Sequence, residues 1–181
     1  MQNTKLSAGE KFPLIQLTNS TGTKVNLVNA QQSENATGRW SLIIIYRGYH
    51  CPICLKYLNN LETYSKRLQA LQIDLSVASA DTPEQLNKMK EKGLQITCPI
   101  LTGLTLAQMK LLGLYISDPM NESETDHPFP EPGLFLINPD GETIMIDIAN
   151  APFIRPDLEQ LVSGLEFSFS KNYPVRGTHP Y

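Results

Sequence analysis

The sequence predicts an α/β fold in which helices flank a mixed central sheet, and three observations support this class. Residues 42–45 form an uninterrupted apolar block rich in β-branched side chains, typical of a strand buried on both faces. After Tyr46 the apolar residues recur three and four apart, which is the spacing of an amphipathic helix. A second apolar strand at residues 73–78 and a strong helix start at residues 81–85 then complete a strand–helix–strand unit with parallel strands.

The segment ahead of this unit predicts a β-hairpin. Two short apolar segments, 12–17 and 24–28, enclose a turn that contains Asn19 and Gly22, and both residue types favour tight turns. The polar residues that follow, 29–39, predict a loop that leads into the central strand.

Two helices after the second strand are predicted from their ends. Each begins with a capping box, in which a threonine and a glutamine three residues later bond to free backbone groups, and each ends at a glycine. These residues are Thr82, Gln85 and Gly93 for the first helix and Thr105, Gln108 and Gly113 for the second.

The C-terminal third predicts a loop, a hairpin, a helix and a tail. Residues 118–130 are polar, acidic and proline-containing, and a loop of this length could border a binding site. Apolar segments 134–137 and 143–148 flank an Asn-Pro-Asp-Gly turn, which indicates a hairpin. The last helix begins at Pro156, and residues 167–181 form a tail with several aromatic side chains. The tail allows three placements: against the body, against a second subunit in a homodimer, or free of both as a loosely held terminus.

Length and charge limit the class of protein. The 181 residues fit a single domain over 1–181, and the net charge of −3 without a basic run argues against nucleic-acid and anionic-membrane partners. The N-terminus lacks the apolar core of a signal peptide, and no apolar run is long enough to span a membrane. We therefore expect a cytoplasmic protein, in which stable structural disulfides are rare.

Cys51 and Cys54 lie where the central strand gives way to a helix. A helix start carries unpaired N–H groups and a partial positive charge, and both stabilise a thiolate. Pro52 suits the first helical position because its missing N–H would have no partner there. Cys54 follows about one turn later, so its sulfur can face Cys51 and form a disulfide. The pair predicts a reversible two-electron switch with Cys51 as nucleophile and Cys54 as resolving thiol.

Two other interpretations of the cysteine pair stay open at this point. A zinc or soft-metal module would need further ligands at motif spacing, and a redox-inert scaffold would use the cysteines only as core residues. No second ligand pair is formed by the remaining candidates Cys98, His50, His127 and His179. The strand-then-helix context favours redox chemistry, for which we expect neither a metal nor a cofactor.

The strand, the segment 46–54 and the helix after it resemble the peroxiredoxin-like branch of the alkyl hydroperoxide reductase / thiol-specific antioxidant family. The resemblance covers most of residues 8–165 and implies a thioredoxin-like three-layer sandwich with an N-terminal β-hairpin extension. It also implies that Cys51 attacks a disulfide or a hydroperoxide, that Cys54 closes the intramolecular disulfide, and that an external dithiol regenerates the pair.

Two further residues are candidates for the site. Pro132 resembles the proline that begins the strand facing the cysteine pair in the thioredoxin superfamily, where the preceding peptide bond is cis and exposes backbone to a substrate. Pro99 competes for this role, but it precedes a short helix rather than the final hairpin. Arg47 would favour the Cys51 thiolate through its charge, and His50 could contribute in the same way.

The sequence also departs from both related patterns. Peroxiredoxins carry Pro-x-x-x-Thr-x-x-Cys at the nucleophile, and here Ile44 and Gly48 replace the proline and the threonine whose hydroxyl positions a peroxide. Pro132 stands where peroxiredoxins place an arginine, and Ile45 stands where thioredoxins bury an acid that accepts a proton. The leading expectation is therefore a thiol–disulfide oxidoreductase and antioxidant protein, with a thiol-dependent peroxidase that reduces hydroperoxides as the alternative.

Overall fold

A computed structural model describes residues 6–28 and 38–179, and it confirms the α/β class, the mixed central sheet and the N-terminal hairpin. In chain order the elements are β1 (Gln16–Thr18), β2 (Lys24–Asn26), β3 (Trp40–Ile45), α1 (Pro52–Glu62), α2 (Ser65–Ala70), β4 (Ile73–Ala78), α3 (Pro83–Glu91), β5 (Ile100–Leu101), α4 (Leu106–Leu111), β6 (Ile116–Ser117), β7 (Phe129–Pro130), β8 (Gly133–Ile137), β9 (Thr143–Ile148) and α5 (Leu158–Lys171).

Strand β3 is the centre of the sheet, whose order is β5-β4-β3-β8-β9. It pairs in parallel with β4 on one side and antiparallel with β8 on the other, so that Ile44 faces Val77 in one register and Leu134 in the other. All four residues of the apolar block are buried. The block is therefore the doubly covered strand that its composition predicts.

Successive residues of β3 point into two separate cores, which makes the fold a three-layer sandwich. Leu42 and Ile44 pack with apolar side chains from α1, α2, α3 and α5, whereas Ile43 and Ile45 pack with those from the hairpin and α4. The cysteine pair belongs to the first of these cores, on the side of the sheet that carries α1 and α5.

The local signals at turns and helix ends are confirmed. The Asn19 side chain accepts hydrogen bonds from the backbone N–H groups of Thr21 and Thr23, and it thereby holds the turn between β1 and β2. Both capping boxes are formed, at the starts of α3 and α4. These contacts are local in sequence, which is why composition and spacing alone could predict them.

The long amphipathic run after the cysteines is two helices rather than one. Helix α1 ends at Glu62 and α2 begins at Ser65. Between them, the Thr63 hydroxyl and backbone N–H both donate to the Asn60 carbonyl, at 2.7 and 3.0 Å, and so close the first helix. The apolar spacing continues through the break because Leu61 and Leu68 enter the same core.

The C-terminal elements also differ from the prediction. Phe129–Pro130, at the end of the predicted loop, pairs antiparallel with Ile116–Ser117. Helix α5 is capped by Asp157 and begins at Leu158, slightly after the predicted Pro156. It continues to Lys171, well into the segment predicted as a tail.

The aromatic residues of that predicted tail are therefore partly helical. Phe169 lies in α5 with its ring 4.7 Å from that of Trp40, which ties the helix to the central strand. Tyr181 and most of the predicted loop 29–39 lie outside the described residues. Within the residues that the structure does describe, no helix is both long enough and apolar enough to cross a membrane. The single domain, the tail's second-subunit placement and the cytoplasmic location stay predictions.

Candidate active site

The two cysteines meet at the start of α1. Cys51 is the N-cap residue of that helix, Pro52 is its first residue, and the Cys51 Sγ accepts a hydrogen bond of 3.2 Å from the Cys54 backbone N–H. Both cysteines are free and buried, with Cys51 2% exposed. The Cys51 sulfur therefore lies at the positively polarised end of the helix and next to its partner.

The pKa of Cys51 is lowered from 9.0 to about 6. The largest cause is the hydrogen bond from the Cys54 side chain, and burial opposes it by favouring the neutral thiol. The Cys54 backbone N–H and the charges of Arg155 and Arg47 add to the lowering. At neutral pH Cys51 is therefore mainly a thiolate, the form of cysteine that attacks peroxides and disulfides.

Cys54 is held in the opposite protonation state. Its burial, together with the hydrogen bond that it shares with Cys51, keeps the pKa of Cys54 well above the ordinary range. The charge of Arg155 acts against this rise. The reduced site is thus one thiolate and one thiol that share a proton, with the thiolate on Cys51.

Arg155 contacts the site although nothing in its sequence context indicated this. Its Nη2 donates to the Cys54 Sγ at 2.8 Å, across 101 positions of the chain. The guanidinium lies 4.8 Å from the centre of the Tyr57 ring in α1, and the Tyr57 hydroxyl donates to the Pro156 carbonyl. These contacts fix the segment ahead of α5 against the cysteine helix, and no local motif around Arg155 could have revealed them.

Arg47, the cation predicted from the sequence, lies near the pair but is bound mainly to acids. Its guanidinium is 3.4 Å from Glu124 Oε1 and 3.3 Å from Glu131 Oε1, and it stacks 4.7 Å above the Phe129 ring. Two carboxylates therefore balance its charge. Its influence on the Cys51 pKa is correspondingly below that of Arg155.

His50 is a buried neutral imidazole. Burial, and after it the charge of Arg47, lowers the pKa of His50 to about 4. Its ring lies 4.5 Å from that of Phe129 and its Nε2 lies 3.9 Å from a Glu124 oxygen. His50 therefore adds no positive charge beside Cys51 at neutral pH.

The protein-family comparison identifies the chain. The model of the AhpC/TSA family matches residues 8–145, which is most of the 181-residue sequence and includes both cysteines. This chain belongs to the AhpC/TSA family. It is a peroxiredoxin-like, thiol-dependent oxidoreductase by that membership.

Solved structures resemble this AhpC/TSA protein in fold. AhpC of Mycobacterium bovis superimposes with a TM-score of 0.71 at 11% identity, covering 97% of this chain and 99% of that one. AhpC of Enterococcus faecalis gives 0.67 at 18% identity, covering 97% and 99%. A cysteine-to-serine mutant of the peroxiredoxin 6 of Arenicola marina gives 0.70 at 16% identity, covering 89% and 72%. Identities this low support the thioredoxin-like fold alone. The search of curated proteins finds no match.

The prediction of a cis peptide bond before Pro132 in this AhpC/TSA protein is wrong, because none of the peptide bonds of the described residues is cis. The Glu131 N–H is also not exposed to a substrate, since it donates to the Tyr115 carbonyl at 2.8 Å. Pro132 instead comes two residues after β7, and the pairing of β7 with β6 holds the chain ahead of it. It lines a small cavity together with Tyr57 and Arg155.

The position of Asp81 explains why this AhpC/TSA chain has a glycine rather than a threonine at residue 48. The φ of Gly48 is +144°, and a Cβ built there would lie 2.6 Å from Asp81 Oδ1. Any side chain at residue 48 would therefore collide with a buried carboxyl group from the segment after β4. The space that a threonine would need is occupied by Asp81.

Within the described residues, the other histidine, cysteine and acidic side chains form no metal site with Cys51 and Cys54. Cys98 is half-buried, and burial raises its pKa to about 12, so it stays a thiol. Across residues 6–28 and 38–179, no group of three or more histidine, cysteine, aspartate or glutamate side chains could hold a metal ion.

Proposed function

We propose that this protein is a thiol-dependent peroxidase that reduces hydroperoxides, with Cys51 as the attacking and Cys54 as the resolving cysteine. The observation that carries the proposal is the Cys51 sulfur at the N-cap of α1, with a lowered pKa and a hydrogen bond from Cys54. Membership in the AhpC/TSA family supports a hydroperoxide as substrate and a thiol as reductant.

The reaction has two chemical steps before the reductant acts. The Cys51 thiolate attacks the outer peroxide oxygen, the O–O bond breaks, and a sulfenic acid forms while the alkoxide or hydroxide leaves and takes up a proton. The Cys54 sulfur then attacks the sulfenic sulfur, forms the Cys51–Cys54 disulfide and releases water. An external thiol pair reduces the disulfide and is itself oxidised.

Arg155 supports the second step in this proposal. Its Nη2 lies 2.8 Å from the Cys54 sulfur, so its positive charge stabilises the thiolate that Cys54 must become when it attacks. Arg155 would also stabilise Cys54 as a leaving thiolate when the disulfide is reduced again.

A second candidate function is thiol–disulfide exchange with other proteins or small disulfides. It is favoured by the two cysteines lying within one turn of the same helix and by Gly48, which supplies no hydroxyl to position a peroxide. In that case Cys51 attacks a disulfide sulfur and forms a mixed disulfide, which Cys54 resolves.

The two candidates separate in a stopped-flow experiment on the fully reduced protein. For the peroxidase, hydrogen peroxide should oxidise wild type orders of magnitude faster than it oxidises free cysteine, and Cys51→Ser should abolish the reaction. Cys54→Ser should still consume one equivalent of peroxide and accumulate a sulfenic acid that dimedone labels. A wild-type rate equal to that of free cysteine would overturn the peroxidase and leave disulfide exchange as the function.

A further inference from the structure

Two lysines lie beside the turn that carries Cys51. Lys88 is in α3 and Lys92 directly follows that helix, and their Nζ atoms lie 5.5 and 5.0 Å from the centre of the Tyr49 ring. Lys92 also donates a hydrogen bond of 3.2 Å to the Tyr49 carbonyl. Because Tyr49 is only two residues before Cys51, these contacts place both ammonium groups next to the turn of the nucleophile.

The charges of these two lysines are not balanced within the part of the chain that the structure describes. Neither lysine forms an ion pair among residues 6–28 and 38–179. Glu84 lies at the start of α3, where its side chain bonds to the capping threonine. Glu91, the last residue of the helix, is not within ion-pair distance of either ammonium group. Both lysines are therefore free to bind an anion from outside.

The arrangement of the two lysines is unfavourable in the absence of an anion. Lys88 and Lys92 are four residues apart, and like charges at that spacing repel each other. The C-terminal end of a helix attracts cations, but Lys90 meets that preference as well, and it lines a different cavity with Cys98. The helix end therefore does not explain why two ammonium groups converge on one ring. An anion bound between them would remove the repulsion.

The positive potential of this cluster reaches the cysteine site. The charge of Lys92 is among the causes that lower the pKa of His50, the residue next to Cys51. Arg155, which contacts Cys54, adds a second charge without a carboxylate partner among the described ion pairs. The chain as a whole has a net charge of −3, so its average charge repels anions. An anion that approaches Cys51 is nevertheless attracted, because nearby charges act more strongly than distant, screened ones.

Burial restricts the size of the molecule that can react at this site. Cys54 is fully buried and Cys51 is 2% exposed, so Cys51 is the sulfur that an incoming thiol can reach. A slender thiol can approach such a sulfur with less rearrangement than a folded protein needs. Burial and charge together favour a small thiol that carries a carboxylate.

We propose that Lys88, Lys92 and Tyr49 form a subsite for the carboxylate of a small anionic thiol, and that a thiol of this class is the reductant of the Cys51–Cys54 disulfide. The lysines bind the carboxylate and so raise the concentration of the thiol beside Cys51. This subsite rests on the proposed function, because it requires that the disulfide forms during turnover.

The reduction uses two molecules of the thiol. The thiolate of the first attacks the Cys51 sulfur, the Cys51–Cys54 bond breaks, and Cys54 leaves with the electron pair next to Arg155. Cys54 takes up one of the two protons that the thiols lose, and the other proton goes to solvent. The second thiolate attacks the sulfur of the bound thiol and releases Cys51 as a thiolate. The two thiols are thereby oxidised to a small disulfide, and the protein disulfide is reduced.

The test measures how fast three thiols reduce protein that hydrogen peroxide has oxidised to the Cys51–Cys54 disulfide, as verified by peptide mapping. The thiols are mercaptopropionate, mercaptoethanol and cysteamine, which end in a carboxylate, a hydroxyl and an ammonium group. Samples are quenched with N-ethylmaleimide, and the free protein thiols are counted by mass. Each rate is expressed per thiolate and divided by the rate of the same thiol with a small neutral disulfide, which removes differences in intrinsic nucleophilicity.

The wild type should prefer the anionic thiol. At low ionic strength we expect mercaptopropionate to react about fivefold faster than mercaptoethanol, and cysteamine to react more slowly than both. The preference should largely disappear in about 0.5 M salt, because exposed charges are screened there. The net charge of −3 acting alone would give the opposite order. Equal rates, or a preference for cysteamine, would overturn the subsite.

Substitutions of the lysines locate the preference. Lys88→Gln and Lys92→Gln should each lower it by about twofold, and the double variant should abolish it through slower reaction with mercaptopropionate. Lys90→Gln is the matched control, because it removes the same charge from the same helix end, and it should keep the preference. An equal loss in Lys90→Gln would mean that only the general charge of the helix acts, and the subsite would be wrong.

A charge-conserving variant separates binding from support of the turn. Lys92→Arg keeps the positive charge and should keep the preference for mercaptopropionate. If Lys92→Arg loses as much of it as Lys92→Gln, Lys92 acts by holding the Tyr49 carbonyl, and its place in the subsite is refuted.

The outcomes separate the subsite from the function on which it rests. If hydrogen peroxide leaves Cys51 and Cys54 unlinked in the wild type, the proposed function fails. If the disulfide forms and the three thiols reduce it at equal normalised rates, the subsite alone fails. If the disulfide forms and none of the three thiols reduces it, the reductant is not a small thiol, and the assignment of its class is overturned.

Discussion

Arg47 and Arg155 both carry a positive charge to the cysteine site, and they differ in what balances that charge. Arg47 lies four residues before Cys51, yet its guanidinium is held between Glu124 and Glu131. Arg155 lies 101 positions from Cys54, and it is Arg155 whose Nη2 contacts the Cys54 sulfur. Closeness in sequence therefore does not decide which cation acts on a thiolate; the carboxylates around each cation do.

The two arginines therefore make different kinds of contribution. Arg47 links the segment before Cys51 to Glu124 in the acidic loop and to Glu131 ahead of β8, so it mainly stabilises the structure around the site. Arg155 has no carboxylate partner among the described ion pairs, and its charge acts on the cysteine pair instead. Replacing each arginine in turn by methionine, which keeps most of the side-chain volume, tests whether the two arginines differ in this way.

The largest effect is expected for the stability of Arg47→Met. Removing Arg47 leaves two nearly buried carboxylates, on Glu124 and Glu131, without their cation, and breaking such a pair costs about 3 kcal/mol. Urea denaturation at neutral pH should give a lower midpoint with an unchanged slope. Arg155→Met, the control, should lose about 1 kcal/mol or less, and an equal loss in both variants would contradict the distinction.

Much of the fold was predictable because its signals are local. The central strand, both capping boxes and the hairpin turns depend on residues within a few positions of one another, as the Asn19 side chain bonded to Thr21 and Thr23 illustrates. The cysteine pair was predictable for the same reason, since a Cys-Pro-x-Cys segment between a strand and a helix fixes both sulfurs near one helix end.

The rest of the site was not predictable because its partners come from distant segments. Ile45 stands where thioredoxins bury an acid, and nothing in the sequence indicated that Asp81, in the segment after β4, lies against Gly48. Its contacts depend on how β3 and β4 lie side by side, which no local pattern specifies. The expected cis bond at Pro132 was carried over from related proteins, and here the preceding residues are paired with β6 instead.

A second effect, smaller in free energy, is expected for disulfide closure in Arg155→Met. In the reduced protein Arg155 bonds to a neutral thiol, and only as Cys54 attacks does its sulfur become anionic. A hydrogen bond between charged groups contributes about 1.5–3 kcal/mol, so its loss should slow the attack of Cys54 on an oxidised Cys51 by about 10- to 100-fold. When reduced protein reacts with the chromogenic disulfide dithiobis(nitrobenzoate), attack by Cys51 releases one aromatic thiolate and closure by Cys54 releases a second, and the rate of the second release measures this step. Arg47→Met, assayed where it is fully folded, should close within about threefold of wild type. A larger slowing in Arg47→Met than in Arg155→Met would reverse the assignment.

The smallest effect concerns the pKa of Cys51, read from the pH dependence of its alkylation by iodoacetamide. The thiolate reacts and the thiol does not, so the wild-type rate should rise with pH and level off above about 6. Both arginines favour the thiolate, so losing either one moves the midpoint upward, toward the ordinary 9.0. The hydrogen bonds from Cys54 remain in both variants, so each shift should stay within about one unit. Because Arg47 is already balanced by two carboxylates, its removal should move the midpoint less than removal of Arg155. Equal shifts would mean that the carboxylates do not offset the charge of Arg47 at the Cys51 sulfur.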